Sequence, residues 1–107
     1  MQRGEIWQEV GKTRPVVVLQ ADALTRAGLP TVLAAPLSTQ FRPGAEPLRV
    51  AIPARERLLA DSWVCVEQLR ALDTSRFGEG PLAELTPQEL QALEQTLVDI
   101  LGIAATH

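Results

Sequence analysis

Short apolar runs separated by polar turns are the feature that most restricts how this chain can fold. Residues 14–20 read Arg-Pro-Val-Val-Val-Leu-Gln, and residues 31–37 read Thr-Val-Leu-Ala-Ala-Pro-Leu. Runs of this length that are rich in β-branched residues are typical of buried strands, and proline is tolerated at a strand start. Residues 4–10 and 48–52 predict two further strands. The connections are too short for crossovers, so the strands are predicted to be antiparallel.

Three other segments carry weaker signals. Residues 62–72 alternate between two faces that are both partly polar, which predicts one longer strand at a turn of the sheet. Residues 21–28 predict a short helix or turn, and the polar residues 38–47, with their Pro-Gly pair, predict a loop.

The clearest local pattern is close to the C-terminus. Thr86 and Glu89 form a capping-box pattern, with a proline at the first helical position. Leucines then follow at helical spacing, and Gly102 lies where a helix would stop. Five or six strands and one such helix predict a mainly β (α+β) fold, a small closed or half-open antiparallel barrel with a C-terminal α-helix. The 107 residues are expected to form one domain, 1–107.

Composition excludes several kinds of site. The single cysteine, Cys65, cannot form an internal disulfide or a thiolate zinc site, and the single histidine is His107. No metal, no cofactor and no histidine-based catalysis are therefore expected. The sequence has no run of about 18 apolar residues and begins without an apolar leader, so we predict a cytoplasmic protein that does not engage a membrane.

The charge is unevenly distributed along the chain. The net charge is −3, yet all 10 Lys and Arg residues lie within residues 1–76. The final segment, 77–107, contains acidic residues and no Lys or Arg. Any surface for nucleic acid is therefore predicted to lie in the first part. Arginine greatly outnumbers lysine, which suits bidentate phosphate contacts but is equally typical of a GC-rich genome.

Polar residues stand at the ends of the two apolar runs. Residues 12–14 (Lys-Thr-Arg) immediately precede the first run, and residues 38–40 (Ser-Thr-Gln) immediately follow the second. If strand pairing brings these junctions together, an arginine and hydroxyl groups meet on one concave rim, an arrangement that suits a phosphate. The alternative is that both are simple solvated turns.

An ordered set of motifs resembles the MazF/PemK family of toxins from toxin–antitoxin systems. The opening Arg-Gly-Glu-Ile-Trp of residues 3–7 and the Arg-Pro-Val-Val-Val-Leu of residues 14–19 are similar to the family's first two strands. Residues 29–38 resemble its third-strand block. Residues 62–73 (Ser-Trp-Val-Cys-Val-Glu-Gln-Leu-Arg-Ala-Leu-Asp) resemble its Ser-x-Val-x-x-Asp-Gln-Ile-Arg-x-x-Asp block. The matches cover nearly the whole chain in the family's order.

The resemblance implies a fold and an activity. The fold is an SH3-like antiparallel β-barrel that forms a homodimer. The activity is sequence-selective, metal-independent endoribonuclease cleavage of single-stranded RNA, leaving a 2′,3′-cyclic phosphate and a 5′-OH. The implied partners are RNA and a cognate antitoxin protein whose disordered tail blocks the substrate groove.

The family's catalytic residues map onto two positions of this sequence. Its arginine before the proline falls on Arg14, and its threonine at the end of the third strand falls on Ser38, with Thr39 as the alternative if the register differs by one. Serine keeps the hydroxyl and loses only the methyl group. Contacts to RNA are predicted for the neighbouring polar residues Lys12, Thr13, Thr39, Gln40, Arg42 and Gln68.

One departure from the family concerns the loop between the first two strands. Only residues 9–13 are present where the family has a longer loop over the RNA, which favours a wider or structured substrate such as a tRNA loop. Two other functions stay open at this point. One is a non-catalytic gyrase poison of the CcdB type, although residues 103–107 do not resemble its terminal-helix signature. The other is a degenerate family member that binds RNA or antitoxin without cutting.

Overall fold

Antiparallel strands form most of the computed structural model, which describes residues 1–12 and 14–103. The described chain contains seven strands and two α-helices. In chain order they are β1 (Glu5–Gln8), β2 (Pro15–Val18), α1 (Asp22–Arg26), β3 (Thr31–Ser38), β4 (Arg49–Ile52), β5 (Ser62–Cys65), β6 (Arg70–Asp73), β7 (Ala83–Glu84) and α2 (Pro87–Leu101). Single 3-10 turns lie at Glu46–Leu48, Val66–Gln68 and Thr74–Arg76.

One curled sheet contains all seven strands, and every pairing is antiparallel as predicted. The strand order is β4-β5-β3-β2-β1-β7, and β6 also pairs with β3. The predicted mainly β fold with a C-terminal helix is confirmed, in the form of a half-barrel. Strands β4 and β7 are the two ends of this path.

The expectation of one strand over residues 62–72 is wrong. β5 and β6 both pair with β3, but the Val66–Gln68 turn separates them. Leu37 pairs with Val64 of β5, and Ala34 pairs with Arg70 of β6. Between these two pairs β3 spans three residues, whereas the segment from β5 to β6 spans six. The three extra residues leave the ladder as a 3-10 turn. Strict alternation does not detect such an insertion, which explains why both predicted faces were mixed.

The main core lies on the side of the sheet that α2 covers. Leu93 is 1% exposed and packs in one cluster with residues from most of the strands. The buried members are Ile6, Val17, Ala35, Leu37, Ile52, Leu58, Val64, Val66, Ala83 and Leu93. The predicted helix is confirmed, with both hydrogen bonds of the capping box at Thr86 and a left-handed Gly102 at its end.

Residues 53–61, the loop between β4 and β5, connect the two ends of the sheet. The backbone N–H of Arg57 donates to the carbonyl of Leu82, one residue before β7, at 2.9 Å. Arg55 also reaches over to α2, where its guanidinium makes two hydrogen bonds of 2.6 Å to the carboxylate of Glu89. This segment, the closing loop, therefore connects β4 to the residue before β7. Neither described helix is long and apolar enough to cross a membrane.

Candidate functional site

The register of β2 on β3 brings the two polar junctions together. Val16 pairs with Pro36 and Val17 with Ala35, so the same antiparallel register continued by two residues sets Arg14 opposite Ser38. The condition on which a phosphate site depended is therefore met by the fold. Both residues line one cavity of about 570 Å³ at this edge of the sheet.

Arg14 lies over the end of β3 with its guanidinium held from two sides. Its Nε donates to the carbonyl oxygen of Leu37 at 3.4 Å, and its Nη2 donates to Oε1 of Gln68 at 3.3 Å. The Sγ atom of the buried Cys65 is 3.9 Å from the same Nη2. Gln68 is in this place because the Val66–Gln68 turn leaves the ladder. Arg14 as a whole is exposed, so its remaining N–H groups can reach a ligand.

Ser38 is half-buried at the last position of β3, and it begins a turn. Its Oγ accepts a hydrogen bond of 3.2 Å from the backbone N–H of Gln40. A hydroxyl that accepts in this way still has its own hydrogen to donate. Thr39, Gln40 and Arg42 are exposed and line the same cavity.

The cavity lining is cationic. Among the residues that the structure describes, four arginines and no Asp or Glu line it. The charged members are Arg14, Arg42, Arg49 and Arg57, and the hydroxyl and amide members are Gln8, Ser38, Thr39, Gln40, Ser62 and Gln68. Arg49 and Arg57 are paired with Glu67 and Glu79 outside the lining, so the excess positive charge that attracts an anion comes from Arg14 and Arg42.

Arg49 is a lining residue that the sequence analysis did not identify. It starts β4, and its side chain is only 9% exposed. Nε and Nη2 donate to the two carboxylate oxygens of Glu67 at 3.1 and 2.7 Å. These bonds raise the pKa of Arg49 above its usual range. The pair joins β4 to the Val66–Gln68 turn, and so ties together two segments that line the cavity.

Arg57 is the second lining arginine that the sequence analysis missed. It belongs to the closing loop, and its Nη2 is 2.9 Å from Oε2 of Glu79. Both side chains are more than half exposed, at 56% and 81%. The Arg-Glu-Arg of residues 55–57 was a visible cationic signal, but nothing local indicated that the loop returns to the cavity.

The remaining predicted residues lie elsewhere. Lys12 is exposed and does not line the cavity. Its backbone carbonyl accepts a hydrogen bond of 2.8 Å from Nε2 of Gln8, which does line it. Thr13, His107 and most of the residues 103–107 considered for a gyrase poison lie outside the described residues. In the part of the chain that the structure describes, no group of three His, Cys, Asp or Glu side chains is placed to hold a metal ion.

A curled antiparallel sheet with one C-terminal helix, and an arginine-lined cavity where β2 begins and β3 ends, define a small half-barrel of the mainly β class. Residues 2–101 match the model of the family described as PemK-like, MazF-like toxin of type II toxin-antitoxin system. The chain belongs to this family.

Individual relatives agree with this family. The chain is similar to Endoribonuclease MazF of Staphylococcus saprophyticus. The two sequences are 28% identical over an alignment of 113 positions, which covers 96% of this chain and 92% of the relative. Among solved structures it is similar to an endoribonuclease from a mycobacterial species (TM-score 0.82, 23% identity, 99% and 95% of the two chains covered). It also resembles the Mycobacterium tuberculosis toxin MazF-mt6 (TM-score 0.80, 21% identity, 96% and 100% covered). A MazE–MazF structure from Deinococcus radiodurans superposes with a TM-score of 0.78 at 24% identity, covering 96% of each chain. These structural likenesses establish the fold.

Proposed function

We propose that this chain is an endoribonuclease toxin that cuts single-stranded RNA in the cavity shared by Arg14 and Ser38. The observation that carries the proposal is the position of Arg14 opposite Ser38 in a cavity that has four arginines and no acidic lining residue among those described. The family and the curated relative support the activity.

The proposed reaction needs no external reactant. The ribose 2′-oxygen attacks the adjacent phosphorus, the bond from phosphorus to the 5′-oxygen breaks, and the products are a 2′,3′-cyclic phosphate and a 5′-OH end. Negative charge grows on the phosphoryl oxygens and on the leaving oxygen. Preorganised donors directed at such developing charge are among the strongest contributions to catalysis.

Arg14 and Ser38 have distinct roles in this scheme. The two hydrogen bonds that Arg14 makes to Leu37 and Gln68 orient its guanidinium, and the N–H groups not engaged there stabilise the phosphoryl charge. Ser38 donates its hydroxyl hydrogen to a non-bridging oxygen. Arginine is a poor base, so we assign the proton of the 2′-OH to solvent. The leaving 5′-oxygen gains its proton from solvent or from Arg14, which then takes one back from solvent. Gln40 and Arg42 line the same cavity, and we expect them to contact neighbouring nucleotides.

The proposed partners follow from the same surface. A cognate antitoxin would block the cavity with an acidic segment that is disordered when free, because carboxylates can replace phosphates against the exposed arginines of the cavity. The protein is proposed to act in the cytoplasm as a homodimer, since a barrel of this size has little core and leaves apolar edges to cover.

Incubation of the purified protein with total RNA in EDTA tests the proposed function. Cleavage in EDTA is expected, since the proposed chemistry uses no metal. The products should have 5′-OH ends, because the bond from phosphorus to the 5′-oxygen breaks. Products with 5′-phosphate ends, or cleavage only when a divalent ion is restored, would contradict the mechanism. Trapped gyrase–DNA complexes without RNA cleavage would indicate a gyrase poison, and RNA binding without cleavage would indicate a degenerate member of the family.

A further inference from the structure

The closing loop, residues 53–61, is firmly anchored at both ends. The N–H of Ala54 donates to the carboxylate of Asp61 at 2.7 Å, which ties the two ends of the loop together. Arg55 and Leu58 exchange backbone hydrogen bonds of 2.9 and 2.8 Å around a tight turn. The ion pair from Arg55 to Glu89 on α2 holds that turn against the helix. The loop therefore has a defined shape where its residues 57–60 line the cavity.

Two adjacent leucines on this loop have opposite environments. Leu58 is 5% exposed and belongs to the main core, whereas Leu59 is 88% exposed. Both line the cavity. Because Leu58 is fixed in the core, the loop cannot rotate to bury Leu59. A leucine kept in solvent by a rigid loop loses the hydrophobic stabilisation that burial would bring, and it recovers this stabilisation when a ligand covers it.

Arg57 on the same loop is positioned to contact an anion. Its ion pair with Glu79 is exposed on both sides, and such pairs contribute little stability, so phosphate can compete for the guanidinium. The loop thus places a cation two residues from an exposed apolar side chain. A nucleotide has the matching chemistry, since it joins an anionic phosphate to a base with an apolar face.

We infer that Arg57 and Leu59 form a subsite for a nucleotide next to the cleaved bond, with Leu59 against the face of the base and Arg57 on its phosphate. This inference rests on the proposed function. It is continuous with the Arg14 and Ser38 site, because one cavity contains all four residues. Contact with the face of a base selects no particular sequence, so the subsite contributes affinity without specificity.

Binding of labelled, random-sequence single-stranded RNA tests the subsite, compared with a ribose-phosphate chain of the same length that lacks bases. Leu59→Ser should weaken binding of the base-bearing RNA by about fivefold and leave binding of the abasic chain unchanged. The matched control is Leu101→Ser, which removes a 60% exposed leucine at the end of α2, away from the cavity. It should change neither affinity.

Other outcomes overturn the inference. Equal losses on both chains would mean that Leu59 affects the general binding surface, and no loss on either would mean that no base contacts it. A smaller mass of Leu59→Ser in light scattering would assign the leucine to a contact between copies. A loss confined to an acidic peptide would assign it to an antitoxin.

The subsite and the proposed function can fail separately. If the wild-type protein cleaves RNA and Arg14→Ala does not, the function stands whatever the result for Leu59. If the wild-type protein neither binds nor cleaves RNA, both proposals fail.

Discussion

Arg14 donates a hydrogen bond to Gln68 across 54 positions of sequence, with 3.3 Å between Nη2 and Oε1. The contact exists because the Val66–Gln68 turn leaves the β3 ladder and carries the glutamine to the start of β2. It gives Gln68 a role in orienting the proposed catalytic arginine. The contact with RNA that the sequence predicts for this residue is a second role, which its amide nitrogen and the second lone pair of Oε1 can still fulfil.

Gln68→Ala is expected to lower RNA cleavage by about tenfold to a hundredfold, because small displacements of a catalytic group have large effects on rate. The change should appear mainly in kcat, since the side chain positions Arg14. Single-turnover cleavage of a short RNA measures it. Gln95→Ala, which removes an exposed α2 glutamine bonded to Asp99, is the control and should cleave normally. A drop in affinity at unchanged kcat would assign Gln68 to substrate binding alone.

Ser38→Ala should lower the cleavage rate by about 10- to 100-fold, which corresponds to the free energy that a hydrogen bond to a charged oxygen contributes. Ser38→Thr should keep the rate or raise it, because a β-branched side chain has fewer χ1 rotamers. Initial rates on one RNA substrate distinguish the two variants. If Thr39→Ala is more damaging than Ser38→Ala, the threonine is the functional hydroxyl and the assignment is wrong by one residue.

Arg42→Glu should weaken RNA binding by about tenfold at low salt and reduce the salt dependence of the affinity, since fewer counterions are released. Lys12→Glu should have a smaller effect, because Lys12 does not line the cavity. An acidic antitoxin segment should lose affinity in the same order.

Titration across a salt series measures these affinities, and Asp99→Lys on α2 is the control. A greater effect at Asp99 than at Arg42 would place the RNA on the helix side of the molecule.

Glu89→Gln should destabilise the fold at neutral pH by about 1.5–3 kcal/mol, the range for hydrogen bonds to charged groups. Burial alone would raise the pKa of Glu89, but the bonds from Arg55 and from the Thr86 N–H outweigh it and lower the pKa. The stabilisation is therefore complete above the unfolded pKa of about 4.3 and is lost as the pH falls through the lower folded value.

Urea unfolding at several pH values measures this dependence, and the variant should show a shallower loss of stability in acid. Glutamine retains the capping box, so the difference reports the ion pair with Arg55. The control is Glu79→Gln, whose exposed pair with Arg57 should contribute at most about 1 kcal/mol. Equal losses for the two variants would contradict the assignment to Glu89.

Much of this architecture was predictable because its signals are local. Residues around Thr86 and Gly102 determine the helix boundaries by themselves, and the β-branched runs of β2 and β3 determine their own burial. The short connections then required antiparallel pairing. Whether Arg14 would meet Ser38 depended on register, which was left open by the sequence and is given by the pairing of Val16 with Pro36.

The part of the cavity lined by Arg49 and Arg57 was not predictable, since it depends on how far the sheet curls. Arg49 and Arg57 reach the cavity through β4 and the closing loop, and no local pattern encodes their distance from Arg14. The turn at Val66–Gln68 was missed for a related reason. Alternation along residues 62–72 is a property of one segment, whereas the three-residue insertion exists only relative to β3.

The most direct test of the central claim is the cleavage rate of Arg14→Ala on a short single-stranded RNA that spans a mapped cleavage site, measured in EDTA. Arg14 is exposed, and the bonds that its guanidinium makes to Leu37 and Gln68 are long, so circular dichroism and the unfolding midpoint should stay close to those of the wild type. The rate should fall by at least about 100-fold, as expected when a principal donor to a developing oxyanion is removed. Arg26→Ala, an exposed arginine on α1, should cleave normally. Cleavage by Arg14→Ala at the wild-type rate would contradict the account.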